Sequence, residues 1–428
     1  MKIGLQTWGT DGDIRPFVAL SAGLRSAGHD VSLVVTSVHN KRYDHLAQDL
    51  DFKIVHAGTV KHDLKTDQTI HEKLRTAKIP LNQLKIVMEN FFDPVVPEMY
   101  EASKKLCRDN DLILGHFLLH PAMLASEKSA KPYITVSLNH GCIPSKHTVP
   151  AGCINMGQFL NPFWWKFSSF VVDHALICNI NELRKKENMP LIKNIMENVW
   201  ISQKLNIISV SKTLCKKQPD WSENHKICGF LDLPDQTETW EMPADLKQFI
   251  EQGATPVFIT IGSMLDLDQS PAVITDILVK AALFAGCRAI VQSCWDKLPD
   301  FPDDPNIYKI GSVPHKHIFP HCSMVVHHDG AGTTQSATFC GCPSVVIEHF
   351  GDQSLFAQEL KRNGVAPQAL HRRNVTSKKL AKAIKDVLVN PEMKKKVESL
   401  ADAMKKENGV DNAVHEIEKY IETTYDRK

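Results

Sequence analysis

Residues 2–35 read KIGLQTWGTDGDIRPFVALSAGLRSAGHDVSLVV. Ile3 to Thr7 is a short apolar run of strand type, and Gly9-Thr10-Asp11-Gly12-Asp13 follows as a polar, glycine-rich loop. Pro16 suits the first turn of a helix, where a missing N–H costs nothing. Phe17, Leu20 and Leu24 recur at helical spacing, and Gly28 ends the element. Val31 to Val35 is a second buried strand. Strand, loop, helix and strand make a βαβ unit, and such a crossover implies a parallel sheet. Leu112 to Leu114 and Tyr133 to Val136 read as later strands of the same sheet.

A second series begins near residue 245. Val257 to Ile261, Ala289 to Gln292, Ile307 to Ile310, Met324 to Val326 and Ser344 to Ile347 are strand candidates separated by helical patterns. A chain of 428 residues exceeds the size at which one core stops growing. The reading is therefore α/β with two Rossmann-like domains facing across a cleft. The N-terminal domain takes 1–215, and a proline-containing linker region takes 216–245. The C-terminal domain takes 246–400, and a helix over 401–428 packs back on the N-terminal domain. Val414, Ile417 and Ile421 give that last segment its helical period.

Composition excludes some classes. The formal net charge is +1, which offers no electrostatic basis for a nucleic-acid partner. The eleven cysteines form no Cys-x-x-Cys pair and read as reduced thiols of a cytoplasmic protein. No apolar run reaches the roughly 18 residues that a membrane helix needs. Asp-x-Asp recurs at Asp11/Asp13, Asp49/Asp51, Asp109/Asp111 and Asp266/Asp268, too often to mark a metal. The histidines lack ligand spacing, so no metal site is expected. His116 and His120 follow a strand, from which they could enter the cleft; a surface or structural role is the plainer reading.

The segment His327-His328-Asp329-Gly330-Ala331-Gly332-Thr333-Thr334 follows a strand and opens a helix. A helix N-terminus presents unpaired N–H groups and a positive dipole end, which suits phosphate. Gly330 and Gly332 permit close backbone approach, and Thr333, Thr334 and His328 add donors. A tight, well-packed turn is the alternative at this level.

From Val313 to Leu360 the sequence resembles the donor-binding segment of GT-B glycosyltransferases that use nucleotide-diphosphate sugars. It looks closest to the branch of sterol glucosyltransferases and bacterial antibiotic glycosyltransferases. The matching residues are His327 to Thr334, Gly341-Cys342-Pro343 and Asp352-Gln353. Asp329 departs from the pattern, which usually has Gly there; an acid beside a phosphate site must point its side chain away. The resemblance implies that His328 touches the β-phosphate, with Gly330, Gly332 and Thr333 beside it. It implies that Asp352 and Gln353 hold sugar hydroxyls. Gly262 and Ser263 would neighbour phosphate or ribose, and the Val313 backbone would meet the base.

The N-terminal loop is similar to the same branch. Gly9-Thr10-Asp11-Gly12-Asp13-Ile14-Arg15-Pro16 fits its Gly-x-x-Gly-Asp-x-x-Pro pattern, which places Gly12 at the donor and Asp13 as catalytic base. The other reading of Asp13 is a helix cap, and it can serve as both. Asn181, Arg184 and Met189-Pro190 also fit the branch. The resemblance implies a UDP-sugar co-substrate, no cofactor, and inversion at the anomeric carbon.

The acceptor is read from Phe159 to Val172, which holds Phe159, Phe163, Trp164, Trp165, Phe167 and Phe170; the alternative is that these aromatics pack an ordinary helix into the core. Adjacent helical positions do not face the same way, so one of Trp164 and Trp165 is free to face a cleft, an interface or a membrane. Both are assigned to acceptor binding. The expected partner is a bulky apolar alcohol, met during brief contact with a membrane surface. Two rivals stay open: a nucleotide-sugar epimerase or hydrolase, and a non-catalytic binding protein of the same fold. A nicotinamide dehydrogenase is disfavoured, because Gly-x-Gly-x-x-Gly spacing is missing from the first loop.

Overall fold

The computed structural model describes residues 1–47, 50–62, 64–77, 80–150, 153–233, 240–261, 271–292, 304–348 and 354–425. The chain divides into two compact units. The first comprises Met1–Asp67, Ile79–Thr237 and Glu407–Lys428, and the second Gln68–Lys78 and Glu238–Lys406.

The first unit holds a seven-stranded, all-parallel sheet. Its strands are β1 (Lys2–Gly9), β2 (Asp30–Ser37), β3 (Lys53–His56), β4 (Leu112–His116), β5 (Tyr133–Ser137), β6 (Leu205–Ile208) and β7 (His225–Ile227), in the order β3-β2-β1-β4-β5-β6-β7. Strand order reverses between β1 and β4, where Ile3 pairs with Leu112 and Gln6 with Gly115. Ligands of open parallel sheets bind at the carboxyl ends of the strands beside such a reversal.

Two sequence expectations are corrected here. The first helix spans Asp11–Ser26, so Asp11 to Asp13 are its first turn and Pro16 lies inside it. Glycine density made the stretch look like loop, but Thr10 and Asp13 form a capping box that starts the helix early. The 216–245 region is not a plain connector: β7 pairs with β6, and Leu231 and Leu233 are core residues of the first unit. Phe159 to Ile180 lies mostly within one long helix, Asn161–Lys186.

The core of the first unit is layered on β1, β2 and β4. Ile3, Leu5, Leu33, Leu112 and Leu114 pack against Phe17, Leu20 and Leu24 of the Asp11 helix. Ala413, Val414 and Ile417 of the Gly409–Tyr425 helix belong to the same core. Gly23 makes that packing possible, since a methyl group there would stand 2.3 Å from Val410 Cγ1. Asn181 and Arg184 act locally. Asn181 exchanges two hydrogen bonds with the Ile192 backbone, while buried Arg184 binds Glu127 with two bonds of 2.8 Å.

The second unit holds six parallel strands: β8 (Val257–Ile259), β9 (Ala289–Gln292), β10 (Ile307–Ile310), β11 (Met324–His327), β12 (Ser344–Glu348) and β13 (Leu370–His371). Their order is β10-β9-β8-β11-β12-β13, so this sheet reverses between β8 and β11. Its core joins Val257, Ile259, Val326 and Val345 to Leu278 and Ile384 of two covering helices.

Candidate functional sites

In the first unit the reversal point brings Asp13 and His116 together. Asp13 sits in the first turn of the helix after β1. Its Oδ2 accepts from the Thr10 amide at 2.8 Å and from the Thr10 hydroxyl at 3.2 Å. Its backbone carbonyl accepts from the Thr7 hydroxyl at 2.9 Å. Gly9 makes room for the carboxylate: its φ is +139°, and a Cβ there would fall 2.2 Å from Asp13 Oδ2. Gly9 is thus required twice, by backbone conformation and by space. Gly12 follows two residues before the first buried core position, Ile14, with open space over its α-carbon except for Thr10 Oγ1 at 3.8 Å.

His116 ends β4, and its Nε2 lies 3.7 Å from Asp13 Oδ1. The imidazole is buried against Phe17 and Phe117, and burial pushes its pKa down to about 3. The contact therefore joins a carboxylate to a neutral ring at physiological pH, despite meeting an ion-pair distance. The Leu118 amide donates to Nδ1 at 3.4 Å, which leaves the proton on Nε2, the nitrogen that faces Asp13. Sequence reasoning missed this role. The usable signal was register, because β4 is the neighbour of β1 at the reversal. Asp11, the other acid of the loop, is occupied by Lys41 and Tyr43, which together with Arg15 hold its carboxyl below its ordinary pKa despite burial.

In the second unit the chain leaves β11 through His328 and Asp329, and Gly330 caps the Ala331–Phe339 helix. The first intrahelical bond from this end is Thr334 N to Gly330 O, at 2.9 Å. The amides of Ala331, Gly332 and Thr333 therefore precede the helical ladder and point out of the helix end. A Cβ on Gly330 would stand 2.5 Å from His328 Nε2, so this glycine lets the imidazole lie across the helix start. Among the described residues, no atom beyond Gly332's chain neighbours and its own helix backbone comes within 4 Å of where a Cβ would be, so the backbone there permits close approach. Thr333 is buried in the first turn. Burial pushes His328 down to about 4, so it offers a neutral N–H rather than a charge.

Asp329 occupies the left-handed region, with φ of +67°. That conformation explains why glycine suits the position. Its carboxylate is turned to protein donors: Oδ2 accepts from the Ala357 amide at 2.6 Å, and Oδ1 accepts from the Thr334 hydroxyl at 3.3 Å. Ala357 lies in the first turn of the Ser354–Arg362 helix, so Asp329 satisfies one of its free N–H groups. Val313 is buried in the second unit's core. Gly262, Ser263, Asp352 and Gln353 lie outside the described residues.

The two tryptophans diverge. Trp165 is 5% exposed and donates its indole N–H to the Thr148 carbonyl at 2.9 Å, which makes it an anchor. Trp164 is half-buried, among Phe163, Phe167 and the Met156 sulfur. About three turns further along the same helix, Leu176 and Ile180, with Leu118, His120 and Trp200, line a cavity of about 20 Å³, room for no more than a water. Among the described residues no helix is long and apolar enough to cross a membrane, and no cluster of three or more potential metal ligands occurs.

Residues 3–135 match the Glycosyltransferase family 28 N-terminal domain, and residues 282–419 match the C-terminal domain of Erythromycin biosynthesis protein CIII-like proteins. A sterol 3-beta-glucosyltransferase of Arabidopsis thaliana is 27% identical over 98% of this chain. One of Pichia angusta is 26% identical over all of it. The chain spans 66% of the plant protein's length and 34% of the yeast protein's. The glycosyltransferase SsfS6 of Streptomyces sp. SF2575, solved with thymidine diphosphate, superimposes with a TM-score of 0.64 at 16% identity, covering 98% of this chain and 99% of that one.

Proposed function

We propose that this chain, which belongs to the GT-B glycosyltransferases in the branch of sterol glucosyltransferases and bacterial antibiotic glycosyltransferases, is an inverting hexosyltransferase. It moves a hexosyl group, glucose by default, from a UDP-sugar to the hydroxyl of a bulky apolar acceptor such as a sterol, polyketide or phenolic. The observation that carries the reading is the pair of reversal points. One bears an acid held in place, and the other a glycine-lined helix end open to an anion.

Asp13 takes the acceptor proton as the acceptor oxygen attacks the anomeric carbon. Aspartate is a weak base, with an ordinary pKa of about 3.9, so proton transfer is concerted with attack. Such catalysis contributes roughly 10²–10⁴-fold. The neutral Nε2–H of His116 faces the carboxylate from 3.7 Å. The bond from anomeric carbon to diphosphate oxygen breaks as the new bond forms, which inverts the centre and gives a β-glycoside from an α-linked donor. Charge growing on the diphosphate meets the amides of Ala331 to Thr333 and the neutral N–H of His328. No divalent ion is required for that stabilisation, so excess chelator should leave the rate unchanged. Loss in chelator with return on adding magnesium or manganese would refute this.

Asp352 and Gln353 hold the sugar hydroxyls, Gly262 and Ser263 neighbour the phosphates or ribose, and Gly12 and the Val313 backbone complete the donor contacts. The thymidine diphosphate complex of SsfS6 supports a nucleoside diphosphate as the donor's carrier. The names of the plant and yeast relatives support glucose and a sterol. Trp164 contacts the acceptor and Trp165 braces it. The enzyme is cytoplasmic and meets membranes briefly. The test is transfer from UDP-glucose to a panel of sterols and phenols, read by mass spectrometry and by the anomeric coupling constant. Free glucose as sole product would favour a hydrolase instead.

A further inference from the structure

Seven of the thirteen exposed large hydrophobic side chains among the described residues fall between Ile154 and Phe170. Phe159 is 98% exposed, Phe163 63% and Phe170 68%. Phe163, Phe167 and Phe170 recur at helical spacing on the Asn161 helix, and exposed Lys166 lies on the same face. Trp165, Val172, Leu176 and Ile180 form the opposite, buried stripe. This helix is therefore apolar on the side facing its own core and on a side facing solvent.

The exposed residues are displayed on a built support. Asn161 is 1% exposed, accepts from the Met156 amide at 3.0 Å and donates to the Lys146 carbonyl at 3.0 Å. With the Trp165 bond to Thr148, this fixes the turn carrying Ile154 and Met156 against the helix start. Ordering these aromatics without covering them gains no burial energy. They are thus suited to burial against something outside the chain.

Charge indicates what covers them. No Asp or Glu occurs between Glu127 and Asp173, while Lys146 and Lys166 are exposed. The acid bonded beside Lys146 is Asp220, whose carboxylate is engaged by the Ser145 hydroxyl at 2.7 Å and the Lys146 amide at 2.8 Å. Lys212, Lys216 and Lys217 precede it in sequence with exposed side chains, Lys217 being paired with Glu223 at 2.8 Å. A second copy docked on this face by twofold symmetry would set its lysines against these, with no acid of the segment to offset them. Phenylalanines edged by lysines match instead the boundary of an anionic bilayer, where apolar rings enter and ammonium groups stay at the headgroups.

We propose that the face formed by Phe159, Phe163, Phe167 and Phe170, edged by Lys146 and Lys166, docks on the surface of an anionic lipid bilayer. The proposal deepens the reading of an apolar acceptor and rests on it for its purpose: an alcohol too apolar for water is collected where it is dissolved.

The experiment is flotation of the full chain with phosphatidylcholine vesicles, with and without phosphatidylserine. The wild type should float with phosphatidylserine vesicles and release at high salt. The triple variant Phe163→Ser/Phe167→Ser/Phe170→Ser should bind on the order of 100-fold more weakly. Its thermal transition and UDP affinity should stay unchanged. Lys146→Glu/Lys166→Glu should weaken binding about tenfold or more, and only on phosphatidylserine vesicles. The proposal fails if the wild type does not float or if the triple variant floats equally well. It also fails if sedimentation shows a wild-type dimer that the triple variant dissociates. Transfer to a detergent-dissolved acceptor is measured in parallel. Flotation without any glycoside product sinks the transferase reading and leaves docking standing.

Discussion

The two sheets reverse strand order at corresponding places and furnish those places differently. At β1 and β4 the first unit puts side chains to use: a carboxylate fixed by its own capping box, with a buried imidazole beside it. At β8 and β11 the second unit relies on backbone, since the side chains of Gly330 and Gly332 are missing where an anion would approach. Proton transfer needs a titratable atom at one point, whereas a diphosphate needs several weak donors spread over its oxygens. One topology can present either, because the loop after the strand is unconstrained by the sheet.

The sharpest way to break this contrast is Asp13→Asn, which keeps the shape and the bond from Thr10 but removes proton affinity. Turnover should fall at least about 100-fold with UDP affinity nearly intact, as separate rate and calorimetric measurements would show. Near-normal turnover would reduce Asp13 to a cap. The matching change in the second unit is His328→Ala. It should weaken UDP binding roughly 10–100-fold, the range for losing one hydrogen bond to a charged group, and slow transfer as well. Equal UDP affinity in variant and wild type would remove His328 from the donor site.

A smaller effect tests Asp329. Asp329→Ala leaves a β-carbon at φ of +67° and strips a partner from the Ala357 amide. Unfolding of the second unit in denaturant should become easier by about 1–3 kcal/mol. An unchanged midpoint would show that the carboxylate does not brace the Ser354 helix.

The two units share a response to acid. Burial pushes His116, His120 and His327 down to about 3 and His328 to about 4. The unfolded chain, with histidines near pKa 6.5, takes up protons first as pH falls. Stability is thus full above about pH 6.5 and declines on acidification toward these folded values. The slope is about 1.4 kcal/mol per pH unit for each histidine. Denaturation midpoints from pH 7 to pH 5 should show the decline, and His120→Gln should flatten it by about one proton. A flat profile would mean these rings are protonated in the folded state.

Much of this was legible from residues alone. Apolar runs flanked by glycine and helical periods gave β1, β2, β11 and β12, and the Asp329 departure was visible as an acid in a glycine's place. Its resolution was not visible, because Ala357 lies in another helix and only folding brings its amide to Asp329. His116 was misjudged for the same reason: the partner that gives it meaning is distant in sequence and adjacent in the sheet. The first helix was begun too late because Gly9 and Gly12 suggest a loop, while one glycine only clears space for Asp13 and the other sits inside the first turn. Strand β7 escaped because three residues carry too short a pattern to stand out from a proline-containing stretch.

The Gly409–Tyr425 helix has a consequence for biosynthesis. Ala413, Val414 and Ile417 complete a core whose other members begin at Ile3. A growing chain meets these residues only after the second unit's sequence has been made. The part of the first unit that precedes the second in sequence must wait with some of its hydrophobic interior uncovered until residues 413–417 have been made. Contacts this distant in sequence are slow to form, and an uncovered interior invites association with other nascent chains. A ribosome stalled before Ala413 is added would therefore carry a first unit unable to close, a substrate for chaperones rather than a finished domain.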